Sequence, residues 1–187
     1  MEADIERSAH ELFGSDGDYV YDFDTSILAR GKLTRQGHGY PRLFYTSATV
    51  TLPGFAPIDL LTLHLAPTPA RFDLWNPTCW KIQRGHRQLL TRQLRQIVTA
   101  LPHSKSLIVA GDFNAPQGDK IFTYLPATLY DTFAASGKGL GNTLLNDIPV
   151  LRIDQIWVSP EFVTIQSFAR KTGASDHRMV ISDIRKK

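Results

Sequence analysis

The segment that most constrains the fold is a long amphipathic stretch near the middle of the chain, residues 81–101 (KIQRGHRQLLTRQLRQIVTAL). Its apolar residues recur at helical spacing on one side, and arginine and glutamine occupy the other, which predicts a helix covering an apolar surface. We expect five of its side chains to face that surface: Leu89, Leu90, Leu94, Ile97 and Val98.

Apolar and β-branched runs on both sides of this helix predict strands. The nearest two are residues 58–65 (IDLLTLHL) and 106–113 (SLIVAGDF). Further strands are predicted at 19–23, 26–30, 42–52, 152–159 and 179–184, further helices at 5–13 and 120–125, and long loops at 66–78 and 135–143. Strands outnumber helices, which predicts an α/β fold with a mixed sheet, or two packed sheets with outer helices.

The size and composition of the chain fit one domain, residues 1–187. The formal charge of +3 is compatible with a polyanionic partner and equally with a solvated basic surface. Cys79 is the only cysteine, which excludes an internal disulfide and predicts a buried or incidental thiol. No apolar run approaches the roughly 18 residues that span a bilayer. The polar N-terminus does not resemble a signal peptide, so we expect a cytoplasmic protein unless a secretion signal lies upstream.

Polar side chains gather where predicted strands end. His64 ends one strand, Asp112 and Asn114 follow another, and Asp176 with His177 precede the last. Each has an ordinary structural explanation when taken singly, such as a turn-forming aspartate or a hydrogen-bonded histidine. Asp154 is different, because isoleucines flank it and a buried carboxylate must be paired.

Taken together, three carboxylates, one carboxamide and two imidazoles at strand ends could converge on one site. Hard oxygen ligands without cysteine suit Mg²⁺ or Mn²⁺ better than Zn²⁺. Histidines beside such an ion could bind or protonate phosphate oxygens. The pattern therefore predicts a divalent-metal site that acts on phosphate esters.

The segments LTLHL, GDFNAP, RIDQIWVS and SDHRMV, in this order, resemble the endonuclease/exonuclease/phosphatase superfamily, which includes deoxyribonuclease-like enzymes. The segment GNTL before RIDQ fits the same pattern, and the resemblance covers roughly residues 19 to 184. It implies a four-layer α/β/β/α sandwich of the deoxyribonuclease-like type. It also implies hydrolysis of a phosphodiester or phosphomonoester with a bound Mg²⁺ or Mn²⁺.

The resemblance also implies a role for each motif residue. Asp112 would activate or orient the attacking water, and Asn114 would hold the phosphate or the nucleophile; both are also candidate metal ligands. His177 would contact the scissile phosphate or transfer a proton, with Asp154 fixing its tautomer. Two further roles complete the set, a metal ligand at Asp176 and a phosphate ligand or general acid at His64.

The chain departs from the family pattern at its beginning. An early asparagine that would bind metal is absent, since the first asparagine is Asn76. Glu2 is the one plausible counterpart of the family's metal-binding glutamate, although an acidic residue at a helix start is common anyway. We therefore expect an N-terminally shortened fold. A homodimer could cover the sheet edge that missing strands would leave open.

The loop and helix after His64 carry basic and aromatic residues that suit a nucleic-acid backbone with stacked bases. We expect Trp75, Asn76 and Arg84 to contact substrate, with Arg71 nearby, although the tryptophans could instead anchor the loop. The first prediction is a DNA nuclease with little sequence specificity. Alternatives are a metal-dependent phosphatase or phospholipid phosphodiesterase, and a non-catalytic module that binds phosphate or a partner. No membrane-docking apolar hairpin is evident, which disfavours a lipid substrate.

Overall fold

The first part of the chain forms a helix followed by a β-hairpin. A computed structural model describes residues 2–37, 44–67, 73, 75–101, 104–173 and 175–187. Helix α1 spans Glu2–Phe13, and strands β1 (Gly17–Tyr21) and β2 (Ser26–Arg30) pair antiparallel. These elements match the helix and the two strands predicted there.

A six-stranded mixed sheet forms the centre of the fold. Along the chain it contains β3 (Lys32–Arg35), β4 (Tyr45–Thr51), β5 (Ile58–His64), β6 (Leu107–Asp112), β7 (Tyr130–Asp131) and β8 (Asp154–Val158), in the spatial order β3-β4-β5-β6-β8-β7. β5 and β6 are parallel, and the other neighbours are antiparallel. The predicted mixed sheet is therefore present, and its parallel pair is joined by the long helix.

The helix joining β5 to β6 is α2 (Pro77–Ala100). It begins four residues before the predicted position, because Pro77 suits the first helical turn and the Asn76 side chain accepts a hydrogen bond from the Thr78 amide at 2.9 Å. Leu90, Leu94 and Ile97 are buried as predicted, and Cys79 is buried too.

Two residues of α2 depart from the predicted apolar face. Leu89 is 40% exposed, so its predicted place on the buried side is wrong. Gln93 is buried, although the pattern placed glutamine on the solvent side. Its carbonyl oxygen accepts a hydrogen bond from the Ala66 amide at 3.0 Å, which satisfies the backbone just after β5.

The last part of the chain contains a short helix, α3 (Thr132–Ser136), and an antiparallel pair, β9 (Phe162–Arg170) and β10 (Met179–Lys186). Among these, only β10 was predicted. β9 mixes threonine, serine and glutamine with its apolar residues, so its pattern is weak even though Ser167 is fully buried. The predicted helix at 120–125 is a 3₁₀ turn over Lys120–Tyr124. Within the described residues, no helix has both the length and the apolar character that crossing a membrane requires.

The main core lies between α2 and the strands β5 and β6. Leu61, Leu63, Leu94 and Val109 are almost completely buried there, and Phe113 extends the same cluster past the end of β6. Burial of such side chains stabilises the fold by roughly 1.5–3 kcal/mol each relative to an exposed position. The core therefore fixes the ends of β5 and β6, where the polar residues lie.

A buried ion pair joins the start of β8 to the start of α3. Arg152 donates to both carboxylate oxygens of Asp131, at 3.0 and 2.5 Å, and both side chains are less than 10% exposed. Asp131 also caps α3 by accepting from the Phe133 amide at 3.0 Å. Arg152 lies two residues before Asp154, so this pair anchors the strand end that carries the predicted site residue.

Replacing Arg152 with methionine should destabilise the protein by about 3–5 kcal/mol, because the Asp131 carboxylate would remain buried without its cation. The matched control is Arg7→Met, since Arg7 pairs with Asp4 at 2.7 Å and both side chains are about two thirds exposed. That change should cost no more than about 1 kcal/mol. Urea unfolding measures both, and equal losses in the two variants would contradict the assignment.

Candidate active site

The ends of three neighbouring strands bring three site residues side by side. His64 at the end of β5 is in register with Asp112 at the end of β6, and Asp112 is in register with Asp154 at the start of β8. Residues in register on adjacent strands share one face of the sheet. Side chains that are 48 and 42 positions apart along the chain are therefore neighbours at one sheet edge.

The turn after β6 holds Asp112 in place. Gly111 has φ 138°, and a Cβ there would overlap the Leu63 carbonyl oxygen, so β5 and β6 approach too closely for any other residue. Asn114 has φ 47°, and its amide donates to Asp112 Oδ1 at 2.7 Å. The Asn114 carboxamide nitrogen also donates to Asp112 Oδ2 at 3.0 Å and to the Leu65 carbonyl at 2.8 Å. The carboxamide thus fixes the carboxylate from one side.

His177 completes the cluster from a distant loop. Its Nδ1 lies 3.0 Å from Asp154 Oδ2 and 3.9 Å from Asp112 Oδ2. An ionised carboxylate can only accept, so the short contact to Asp154 assigns the proton to Nδ1. Asp154 is therefore paired, as its apolar flanks predict, and it fixes the orientation of the imidazole.

Asp24 is a site residue that the sequence interpretation missed. Its Oδ2 lies 3.1 Å from His64 Nδ1, while His64 Nε2 lies 3.8 Å from Asp112 Oδ2. His64 thus lies between two carboxylates, with both its side chain and that of Asp24 about 40% exposed. The position of Asp24 in the sequence could have identified it, because it directly follows a predicted strand, as the other acidic candidates do.

The charges of this cluster are not balanced. Burial and the neighbouring Asp154 carboxylate raise the pKa of Asp112 to about 6, even though the Asn114 amide, His177 and His64 act in the opposite direction. Two neighbouring carboxylates with little positive charge around them are a good receptor for a cation. Asp112, Asp154 and His177 each offer one ligand atom, and these atoms lie within 4.8 Å of one another. This donor set fits a divalent metal ion.

The other two predicted metal ligands lie apart from this cluster. Asp176 is exposed, and its backbone carbonyl accepts from the Asn146 amide at 2.6 Å. Glu2 is exposed in the first turn of α1, where a hydrogen bond from Tyr21 to its carboxylate is the main cause of a raised pKa for Tyr21. The structure does not bring either residue into the group formed by Asp112, Asp154 and His177.

The predicted substrate-contact residues lie around the N-terminus of α2. Asn76 caps the helix, which gives its side chain a structural task there. Trp75 is 85% exposed and Arg84 is exposed, so neither anchors the loop. Arg71, also expected nearby, lies outside the described residues.

A cavity of about 330 Å³ opens beside His177, between β6 and β8 on one side and the start of β10 on the other. Asp154, Ile156, Met179 and Val180 are among its lining residues. Its lining combines apolar residues with polar ones, among them Gln155 and Arg178.

Residues 144–151 form a small hairpin that exposes apolar side chains beside this site. Leu144 pairs with Leu151 and also bridges to His177. Ile148 is 73% exposed, and Leu145 and Val150 are about half exposed. The sequence interpretation did not anticipate this exposed apolar segment, because the apolar residues around Pro149 leave no periodic pattern to read.

A model of the Endonuclease/Exonuclease/phosphatase family matches residues 5–177, and the chain therefore belongs to that family. The resemblance read from the four motifs is confirmed. Members of the family are phosphoester hydrolases, among them nucleases and phosphatases, and they generally use divalent metals. Comparison with curated proteins gives no match.

Solved structures share the fold at low identity. A 3′ phosphatase NExo from Neisseria, bound to product DNA hairpin, has 19% identity and a TM-score of 0.66, with 95% of this chain and 82% of that chain covered. The mannosyl-6-phosphatase Bt3783 from Bacteroides thetaiotaomicron VPI-5482 has 15% identity and a TM-score of 0.56, with 97% and 82% covered. An endonuclease/exonuclease/phosphatase from Beutenbergia cavernae DSM 12333 has 19% identity and a TM-score of 0.61, with 86% and 47% covered.

This chain therefore spans about half the length of the Beutenbergia protein and four fifths of the other two. The predicted deoxyribonuclease-like α/β fold is confirmed by these likenesses. The four-layer arrangement and the single domain over 1–187 stay predictions.

The raised pKa of Asp112 makes folding stability depend on pH. Its carboxyl is protonated in both states below about pH 4, the value for an unfolded aspartate. As the pH rises through about 6, the unfolded chain ionises more readily than the folded one, so the folded state loses stability. The loss in metal-free protein should reach about 3 kcal/mol.

Asp112→Asn should therefore be more stable than the wild type at pH 7.5 in EDTA and nearly equal to it at pH 4. Urea unfolding at the two pH values measures this difference. Addition of Mg²⁺ or Mn²⁺ should stabilise the wild type and leave the variant almost unchanged, because ligand binding adds to folding free energy. If the difference in unfolding free energy between the wild type and Asp112→Asn were the same at pH 4 and pH 7.5, Asp112 would not be a buried, uncompensated charge.

Proposed function

We propose that this protein is a divalent-metal-dependent phosphodiester hydrolase, a DNA nuclease with little sequence specificity. The observation that carries the proposal is the contact of His177 with Asp154 at 3.0 Å, beside the Asp112 carboxylate whose pKa is raised to about 6. An oriented imidazole next to a carboxylate of shifted pKa is a typical acid–base arrangement.

The hydrogen bonds of the site residues suggest a different role for each residue. His177 holds its proton on Nδ1, which leaves Nε2 to accept a proton or to donate one to a phosphate oxygen once protonated. Asp112, ionised above about pH 6, orients the attacking water by accepting its hydrogen bond. Asn114 uses its carboxamide hydrogens on Asp112 and Leu65, so we assign it a positioning role.

His64 lies on the opposite side of Asp112 from β8, with its Nδ1 oriented by Asp24. That placement suits a group that binds a phosphate oxygen or protonates the leaving group. The two imidazoles therefore flank the carboxylate that orients the nucleophile. This division places proton removal and proton supply on separate residues.

The carboxylates of Asp112 and Asp154 are the best-placed ligands for Mg²⁺ or Mn²⁺, and Glu2, Asn114 and Asp176 remain predicted ligands. When bound, such an ion polarises the phosphoryl oxygens and neutralises charge that develops on them. Its presence would also offset the two causes of the raised pKa of Asp112, which are burial first and the neighbouring Asp154 charge second.

DNA is the favoured substrate because the protein is basic and exposes cations and tryptophans near the N-terminus of α2. The likeness to the Neisseria enzyme bound to a DNA hairpin points in the same direction. A homodimer stays a prediction of the sequence.

Supercoiled plasmid with Mn²⁺ or Mg²⁺ tests the proposal directly. The wild type should nick it, EDTA should stop the reaction, and His177→Ala should reduce the rate by about 10²–10⁴-fold through loss of proton transfer. His10→Ala is the control, since His10 is an exposed histidine on α1. Intact plasmid alongside release of phosphate from small monoesters would replace the nuclease with a phosphatase, and inactivity on every ester with the fold intact would leave a binding module.

A second candidate, a phospholipid phosphodiesterase, is favoured by one observation, the exposed apolar hairpin 144–151 beside His177. An apolar surface of this kind could insert at a lipid interface. Hydrolysis of phospholipid vesicles should then fall at least tenfold in Ile148→Ser, while hydrolysis of a short-chain soluble analogue stays unchanged. Equal rates on vesicles for both proteins would rule out this candidate.

A further inference from the structure

A stripe of cations runs along the solvent side of α2. Lys81, Arg84, Gln88, Arg92 and Arg95 follow one another at three- and four-residue spacing, and every one of them is exposed. Residues at this spacing lie on one side of a helix. The stripe is about 21 Å long, at 1.5 Å per residue. We call it the α2 stripe.

The cations of the α2 stripe are largely uncompensated. α2 contains no aspartate or glutamate at all. Within the described residues, Lys81, Arg84 and Arg92 take part in no ion pair, and Arg95 lies over the Tyr124 ring at 4.4 Å. The charges of Lys81, Arg84 and Arg92 are therefore available to an anion outside the protein.

Gly85 lies in the middle of the α2 stripe, directly beside Arg84 and four residues after Lys81. Glycine weakens a helix interior relative to alanine. A Cβ at this position would meet no atom of the protein, so packing does not require glycine here. Nothing inside the protein therefore requires glycine at position 85. A glycine here would let another molecule come close to the helix backbone.

The α2 stripe also has a fixed relation to the catalytic edge. β5 and β6 are parallel, so α2 starts at the edge where His64 lies and runs back along the sheet. Gln93 is level with that edge, because it binds the Ala66 amide two residues after β5 ends. Lys81, Arg84 and Arg92 therefore lie on the part of α2 that precedes this contact with the catalytic edge. Trp80, 56% exposed, lies on the same part of the helix.

We propose that the α2 stripe is a second nucleic-acid contact, which binds the phosphate backbone of a DNA duplex. The bound phosphates belong to the part of the duplex that continues away from the catalytic centre. This rests on the proposed nuclease function and extends it to a binding surface outside the site. About six phosphates of one strand fit along 21 Å, at 3.4 Å per nucleotide. The glycine lets the backbone come close between the flanking cations.

A lipid surface fits the α2 stripe less well. A helix that lies on a membrane inserts an apolar face between the lipids. The apolar face of α2 is already buried on the sheet through Leu90, Leu94 and Ile97. Apart from Leu89 and Trp80, what remains outside is charged and polar, which suits a row of phosphates.

The test is binding of a fluorescein-labelled 16-base-pair duplex by the full chain in EDTA, followed by anisotropy at several salt concentrations. Lys81→Gln/Arg84→Gln/Arg92→Gln should weaken binding at least tenfold and lower the salt slope by about 0.9 for each phosphate that is no longer neutralised. The matched control, Arg30→Gln/Lys32→Gln/Arg185→Gln, removes the same charge from exposed positions elsewhere and should change affinity less than threefold. Equal weakening in both triple variants would overturn the proposal.

Gly85→Gln gives an independent readout. It should raise the urea midpoint, because glutamine favours the helix, and yet weaken duplex binding at least threefold by blocking the backbone. Unchanged affinity in this variant would remove the close-approach argument. Preferential binding of anionic vesicles over the duplex by the wild type would overturn the choice of ligand.

Hydrolysis of bis(4-nitrophenyl) phosphate by the wild type reports the proposed function separately, because this diester is too small to reach the α2 stripe. Stripe-dependent duplex binding without hydrolysis would leave this inference standing and refute the hydrolase. Hydrolysis of the diester without stripe-dependent duplex binding would support the hydrolase and refute this inference.

Discussion

The repulsion between Asp112 and Asp154 is the constraint on which the rest of the site depends. Their strands are adjacent and antiparallel, and the register places the two residues opposite each other. Burial of the Asp112 carboxylate and, after it, the neighbouring Asp154 charge cost free energy, which appears as the raised pKa of Asp112. Burial of the apolar core under β5 and β6 offsets this cost. The site therefore stays negative and can bind a cation.

The positions of the neighbouring groups follow from that constraint. Asn114 turns back on Asp112 with its amide and carboxamide, and His177 approaches Asp154 from a loop. Asn146 holds this loop by four hydrogen bonds: two with Thr172, one from its own amide to the Asp176 carbonyl, and one that its carbonyl accepts from Arg178 Nε. The hairpin 144–151 therefore positions the imidazole as well as exposing apolar surface.

Much of this arrangement could be read from the sequence, and the limits have physical causes. β5, β6 and α2 have strong periodicity, so the fold class and the strand-end positions of His64, Asp112 and Asp154 were predictable. β9 was missed because its inward face is partly serine and threonine, whose burial depends on hydrogen bonds such as the 2.9 Å contact between Ser167 and Ser182. Gln93 was misread and the capping role of Asn76 was missed for a related reason, since each serves one backbone amide that no pattern of hydrophobicity reveals.

Asp24 shows why a site is harder to predict than a fold. Its partner His64 is 40 positions away, and the contact exists only because the β1–β2 hairpin lies against the end of β5. The two histidine–carboxylate pairs on either side of Asp112 differ in exposure, about 40% for Asp24 with His64 and about 20% for Asp154 with His177. Charge interactions strengthen as water is excluded. The inner pair therefore holds its geometry more strongly by electrostatics, whereas the outer pair is open to solvent. Under the proposed function, this difference suits a fixed base at His177 and an accessible acid at His64.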